Sequence, residues 1–321
     1  MHAGLKITAF AAALAATFGT AYGVGQGIGP VADDEPPARH DAHAGGDSAQ
    51  SGSSRQSEHS EHESPPAGGL QISENGYTLD LRTPRLAAGR TADLRFAIRG
   101  DDGRAVTAFR REHDKELHLI VASRDLNTYR HLHPTRAADG TWSIPVALPR
   151  AGGYRIFADF TPDKKGAENL TLGADLAVSG TYAPRDLPAP NTTATADGYE
   201  VKLGGALRPG AARELKLTVS RDGRPVTDLQ PYLGAYGHLV ALRSGDLAYL
   251  HVHPNGEPGT TAAGPDISFT ATAPSSGTYR LFLDFKHRGE VHTAAFTVRA
   301  GGAVAAPAEE APHESSGEHG H

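Results

Sequence analysis

The stretch His118-Leu119-Ile120-Val121, followed by Tyr129-Arg130-His131-Leu132-His133-Pro134, decides the reading of this chain because it occurs twice. The second copy is His238-Leu239-Val240-Ala241, then Tyr249-Leu250-His251-Val252-His253-Pro254. Each of these histidines recurs at an offset of 120 residues, and such a repeat sets the architecture before local signals do. Working outward, Leu94, Phe96 and Ile98 alternate with polar neighbours, as do Leu215, Leu217 and Val219. The turn dipeptides Asp102-Gly103 and Asp222-Gly223 follow them. A later strand, Tyr154 to Phe160, is echoed by Tyr279 to Phe285 at an offset of 125, the extra five residues falling after Pro254. A last strand is expected near Ala174–Val178 and again near Ala294–Val298. Short strands at this spacing, without amphipathic helices, predict an all-β chain of two tandem immunoglobulin-like β-sandwich domains. Their expected bounds are 70–183 and 191–300, with Pro184, Pro188 and Pro190 in the linker.

Composition narrows the chemistry. Glycine (38) and proline (22) are plentiful, which suits a turn-rich β protein. The formal net charge of −6, with no basic tract, argues against nucleic acid as a partner. Cysteine is absent and the one methionine is Met1. A metal site would therefore use imidazole, carboxylate or backbone oxygen, which suits Cu(II), Zn or Ni. There is no Gly-x-Ser-x-Gly elbow, nucleotide loop or His-Glu-x-x-His, so the chain is read as non-enzymatic.

The ends speak to location. Residues 1–31 have no charge between Lys6 and Asp33 and read as an apolar helix, either a transmembrane anchor or a cleaved signal peptide. Lys6 before the apolar run and Asp33, Asp34 and Glu35 after it place the rest outside the cytoplasm, tethered to the cell membrane or secreted. The His-containing linker 32–69 and tail 301–321 have too few apolar residues to build a core and are expected to be disordered.

Strand geometry turns the histidine spacing into a candidate site. Residues i and i+2 share a face, so His131 and His133 project together, as do His251 and His253. If residues 118–123 and 128–133 form a hairpin around Arg124–Asn127, His118 lies directly opposite His133. The same arithmetic sets His238 opposite His253. Each domain would then carry three imidazoles within reach of one copper or zinc ion. Protons would compete as pH falls through ~6.5. The competing reading is a structural cluster bonded to backbone near the turns at Pro134 and Pro254. Tyr129 and Tyr249 fall on the histidine face, where cross-strand aromatic packing is the simpler account and shielding of a site the other. Asp159 and Asp284 share strand faces with Arg155 and Arg280; a structural ion pair and a carboxylate orienting a ligand histidine are both open. Trp142 is assigned to the first core.

With those residues in view, the first domain resembles the YtkA-like family of extracytoplasmic, heavy-metal-binding-type domains. The resemblance rests on His113, His118-Leu119-Ile120-Val121, Asp125-Leu126, His131-Leu132-His133-Pro134, and Tyr154-Arg155 with Phe157-Ala158-Asp159-Phe160. The overall layout is similar to that of two-domain, N-terminally anchored actinobacterial secreted proteins. The resemblance implies an immunoglobulin-like sandwich, a role in metal handling, and His113, His118, His131 and His133 as positions of interest. Leu233 stands where His113 would repeat, and His287 and His292 have no counterparts in the first domain. The expected function is capture or buffering of Cu(II) or Zn outside the membrane, with an envelope protein as a further partner. The alternative is a structural or protein-interaction module that holds no metal.

Overall fold

A computed structural model describes residues 67–250 and 252–301, with His253 described by its backbone alone. The expected N-terminal apolar helix, most of the linker 32–69, and the tail beyond Gly301 lie outside the described residues. Among the described residues every regular element is a strand, and no helix is long and apolar enough to cross a membrane.

The chain forms two tandem β-sandwiches. In the first, Ser73–Glu74, Tyr77–Leu81, Thr91–Arg99, Trp142–Ala147 and Thr135–Arg136 make one sheet in that order. Arg85–Ala87, Leu170–Ser179, Gly152–Pro162, His118–Ser123 and Tyr129–Leu132 make the other, with Phe109–Arg110 paired to Gly152–Pro162. The alternating residues meet between them: Leu94, Phe96 and Ile98 pack with Leu119, Val121, Ile156 and Trp142. The second sandwich repeats this plan. Arg213–Arg221 is central in one sheet; Tyr249–Leu250, Gly237–Arg243, Gly277–His287 and Glu290–Ala300 form the other.

Two strands of each sandwich are buried on both faces. Leu119 and Val121 enter the first core, while Ile120 and Ala122 turn outward. Leu239 and Ala241 enter the second core, while Val240 and Leu242 turn outward. The outward residues meet: Ile120, Ala122, Leu126, Tyr129 and Phe157 form one buried cluster with Val240, Leu242, Leu247, Tyr249 and Phe282. The repeat thus packs against itself, like surface on like surface, as in an isologous dimer. Tyr129 stacks on Phe282 at 4.1 Å, and Phe157 meets Tyr249 at 5.8 Å. The hairpin leucines Leu126 and Leu247 accept left-handed backbone (φ 55° and 63°) to reach this interface. That strain costs about 1–2 kcal/mol each, and burying a leucine returns about 1.5–3 kcal/mol.

A short strap closes the interface. Gly68 exchanges backbone hydrogen bonds with Tyr249 of the second sandwich, while the Gly69 amide donates to the Thr171 carbonyl of the first. Arg155 donates from Nε to the Gly69 carbonyl and from Nη2 to that of Leu70. Glycine is required opposite the strap, because a Cβ at Gly173 would lie 2.0 Å from the Gly69 oxygen. The expected disordered linker therefore ends earlier than residue 69: Gly68 and Gly69 are already paired.

Candidate metal centre at the sandwich interface

The predicted hairpin register of the first repeat is present. Leu119 pairs with Leu132, Ile120 with His131 and Ala122 with Tyr129, and Ser123 closes the loop by donating its amide to the Thr128 carbonyl. His118, Ile120, Ala122, Tyr129 and His131 accordingly share the interface face. Continuing that register sets His118 against His133 just beyond the strand end, and their ring centroids lie 5.1 Å apart. The His131 and His133 rings are 4.8 Å apart. One nitrogen from each of His118, His131 and His133 falls within 4.8 Å of the others.

Hydrogen bonds on the outer sides of the rings assign their tautomers. His118 Nε2 lies 3.1 Å from the Glu112 carbonyl, which only accepts, so Nε2 carries the proton and Nδ1 is a lone pair. His131 Nδ1 lies 3.0 Å from Asp284 Oδ2, so Nδ1 carries the proton and Nε2 of the neutral ring is a lone pair. These two lone-pair nitrogens face each other at 3.1 Å. Beside them, Nε2 of His133 is buried and has no hydrogen-bond partner among the described residues. Two neutral acceptors at that distance repel; a proton or a metal cation between them removes the conflict.

The second sandwich supplies the supports. Asp284 reaches across the interface, and its Oδ2 also accepts from Tyr129 at 3.2 Å, while Thr293 donates to Oδ1 at 2.6 Å. The His131 and Asp284 side chains are 6% and 3% exposed, so the pair is buried. Of the two open readings for Asp284, the structure has the carboxylate bonded to a histidine, and that histidine belongs to the other repeat. Among the described residues, Asp159 does not pair with Arg155, nor Asp284 with Arg280. Arg155 and Asp159 are four residues apart on one strand, a span of ~13 Å; Arg155 turns to Asp175 and Arg280 to Thr297. Asp159 instead accepts from Asn169 at 2.7 Å and Tyr249 at 3.5 Å, so each tyrosine bonds the opposite repeat's aspartate.

Burial, reinforced by neighbouring imidazoles, lowers the pKa of His118, His133 and His238 to about 3. Proton competition near pH 6.5 therefore does not come from these three rings. Burial, and then the charge of Asp284 or Asp159, pushes Tyr129 and Tyr249 well above the usual phenol range.

The expectation of one equivalent triad per domain needs correction. His238 lies 6.1 Å from His118 and 6.0 Å from His131, ring to ring, so it joins the first repeat's histidines. Its Nε2 is held by the Tyr232 and Leu233 carbonyls at 3.1 Å. The pairing of His238 with His253 does not form. The strand leaves Gly237–Arg243 after Leu250, and Val252–Pro254 runs along Asp266–Ala271 in the other sheet, setting His253 against Thr270. His251 and the His253 side chain lie outside the described residues.

His113 occupies the tip of a tight two-residue turn, Glu112–Lys115, with left-handed backbone at His113 and Asp114 (φ 49° and 63°). Its exposed ring packs on His238 at 5.0 Å and on His118 at 6.1 Å, outside the close group of three. Leu233 occupies the same place in the matching turn Tyr232–Ala235. His287 and His292 lie elsewhere: His287 contacts Tyr199 and Asp228, and His292 contacts Asp197. Trp142 is buried in the first core beneath Arg136.

The fold and the cluster define a tandem β-sandwich protein with a histidine-lined domain interface. The chain belongs to the family described as a domain of unknown function, DUF8832, whose model matches residues 72–171 and 194–302, one copy per sandwich. No curated protein matches it. Among solved structures it is similar to FdeC, an Escherichia coli adhesin, at 14% identity over 72% of this chain and 65% of that one, with a TM-score of 0.23. It is similar to Yersinia pseudotuberculosis InvD at 13% identity over 72% and 59%, TM-score 0.23. Domains 4–9 of the surface layer protein SbsC match at 12% identity over 70% and 30%, TM-score 0.22. The chain thus spans less than two thirds of each of these structures.

Proposed function

We propose that this is a non-enzymatic metal-binding protein that holds a Cu(II) or Zn ion at its sandwich interface through His118, His131 and His133. The observation that carries the reading is the opposed pair of lone-pair nitrogens, 3.1 Å apart, with the orphan nitrogen of His133 beside them. A proton on His131 relieves the pair but leaves His133 bare. A divalent ion with metal–nitrogen bonds of ~2.0–2.1 Å satisfies all three and keeps a fourth position open. The absence of sulfur ligands favours Cu(II) or Zn. Asp284 holds the non-ligating nitrogen of His131, as carboxylates do behind metal-bound histidines.

The same proposal places the chain outside the cytoplasm, tethered by its N-terminal apolar segment or secreted after its cleavage, with its His-bearing linker and tail delivering ions. Lys6 before the segment and the acidic residues after it support this. The resemblance to YtkA-like domains points the same way. Calorimetric titration of the full chain with Zn and Cu(II) tests the reading against a His118→Ala, His131→Ala, His133→Ala variant. The tightest site is expected to vanish in the variant, leaving only weak tail binding; equal binding by both chains rejects the proposal.

A second reading, tandem sandwiches with a purely structural histidine cluster, is supported by the bonds from His118 and His238 to turn carbonyls. Under it, neither chelator nor added metal moves the melting temperature.

A further inference from the structure

We propose that the open position of the bound ion faces the cavity between the sandwiches and takes a small anion, with Lys115 supplying its counter-charge. This rests on the metal reading above. The cavity measures about 290 Å³, and His118 and His131 line it while His133 does not. The cluster therefore borders this space through His118 and His131. A water's share of liquid volume is about 30 Å³, so there is room for a ligand of several atoms beside ordered water.

Charge selects the ligand class. Arg110 and Lys115 both line the cavity. Arg110 donates to the Ala167 carbonyl, and neither cation forms an ion pair among the described residues. The field of Lys115 extends to His133. The carboxylates nearby are already engaged. Glu112 accepts from Thr161 and Asn169, Glu116 is bound by Arg136, and Asp159 accepts from Asn169 and Tyr249. A divalent ion adds two positive charges at the edge of a space that Arg110 and Lys115 already line. That sign favours a small monoanion such as hydroxide, a halide or a carboxylate, with Lys115 placed to approach it.

Azide is the probe. The Cu(II)-loaded full chain is titrated with azide and followed by its ligand-to-metal charge-transfer band. A saturable band is expected, absent from the His118→Ala, His133→Ala variant. Lys115→Ala should raise the azide Kd about tenfold, the scale of one partly screened charge contact, and Lys115→Arg should recover most of the loss. Copper uptake at the cluster with no azide band, a band that survives loss of His118 and His133, or an unchanged Kd in Lys115→Ala each overturns the anion site while the metal reading stands. Failure of the cluster to take up copper overturns both.

Discussion

Replacing Asp284 by asparagine probes the link between the two sandwiches at one atom. Oδ2 accepts from His131 and from Tyr129, and Oδ1 accepts from Thr293. The amide keeps the shape and one acceptor, so the fold survives, but the negative charge behind His131 is gone. That charge orients the ring and fixes Nδ1 as the protonated nitrogen. Losing such a support typically costs 10–100-fold in metal affinity, or about 1.4–2.7 kcal/mol. The asparagine nitrogen, placed on the Oδ1 side, meets the Thr293 hydroxyl, which also accepts; the cost to the metal-free fold is then confined to weaker hydrogen bonds, about 1 kcal/mol. Competition against a chromophoric chelator, with Zn and the full chain, reads the affinity, and thermal melting without metal reads the fold. Zinc affinity falling by at least tenfold while the metal-free melting temperature moves by a few degrees is the expected pattern. Unchanged affinity would refute the argument that the second sandwich tunes the site.

Three further outcomes follow from the same contacts. Tyr129→Phe keeps the stack on Phe282 and removes the hydroxyl that Asp284 accepts from; denaturant unfolding should show a loss of about 1–2 kcal/mol, and no loss would mean this bond is idle. Gly173→Ala drives a methyl group against the Gly69 oxygen and Arg155; it should cost about 1–3 kcal/mol and open the strap to limited proteolysis near Gly68, whereas wild-type resistance would show that the strap is not needed. Acid should weaken the metal-free fold in a defined window. His118, His133 and His238 titrate at about 3 when folded and near ~6.5 when unfolded. Above pH 6.5 neither state binds these protons; between 6.5 and 3 only the unfolded chain does, so stability falls as pH falls. Denaturant midpoints at pH 7 and pH 5 should differ by less in a His118→Ala, His238→Ala variant, and equal differences would contradict the burial argument.

The hairpin register was readable because an even loop fixes it. Arg124–Asn127 leaves His118 opposite His133, and i, i+2 spacing aims His131 and His133 the same way. The second repeat obeys that register only through Leu250 and then changes sheet, a crossing that no local residue pattern announces. The site's other half was hidden by distance along the chain, since Asp284 lies 153 residues from His131. One signal did point to it. Leu119–Ala122 and Leu239–Leu242 are apolar without alternation, and such runs mark strands buried on both faces. They required a second layer over the histidine face, although not that the repeat itself would provide it. The aspartates were harder to place, because a carboxylate with an arginine on its own strand face looks paired until the ~13 Å along the strand is counted.

Anomalous diffraction at the zinc edge from zinc-loaded crystals of the full chain decides whether the interface histidines hold the ion. A peak is expected at the sandwich interface ~2.0–2.1 Å from His118 Nδ1 and His131 Nε2, with His133 completing three nitrogens and Asp284 still on the far side of His131. An interface with no anomalous density, the three rings standing as they do without metal and zinc found only on the tail, would contradict the metal reading.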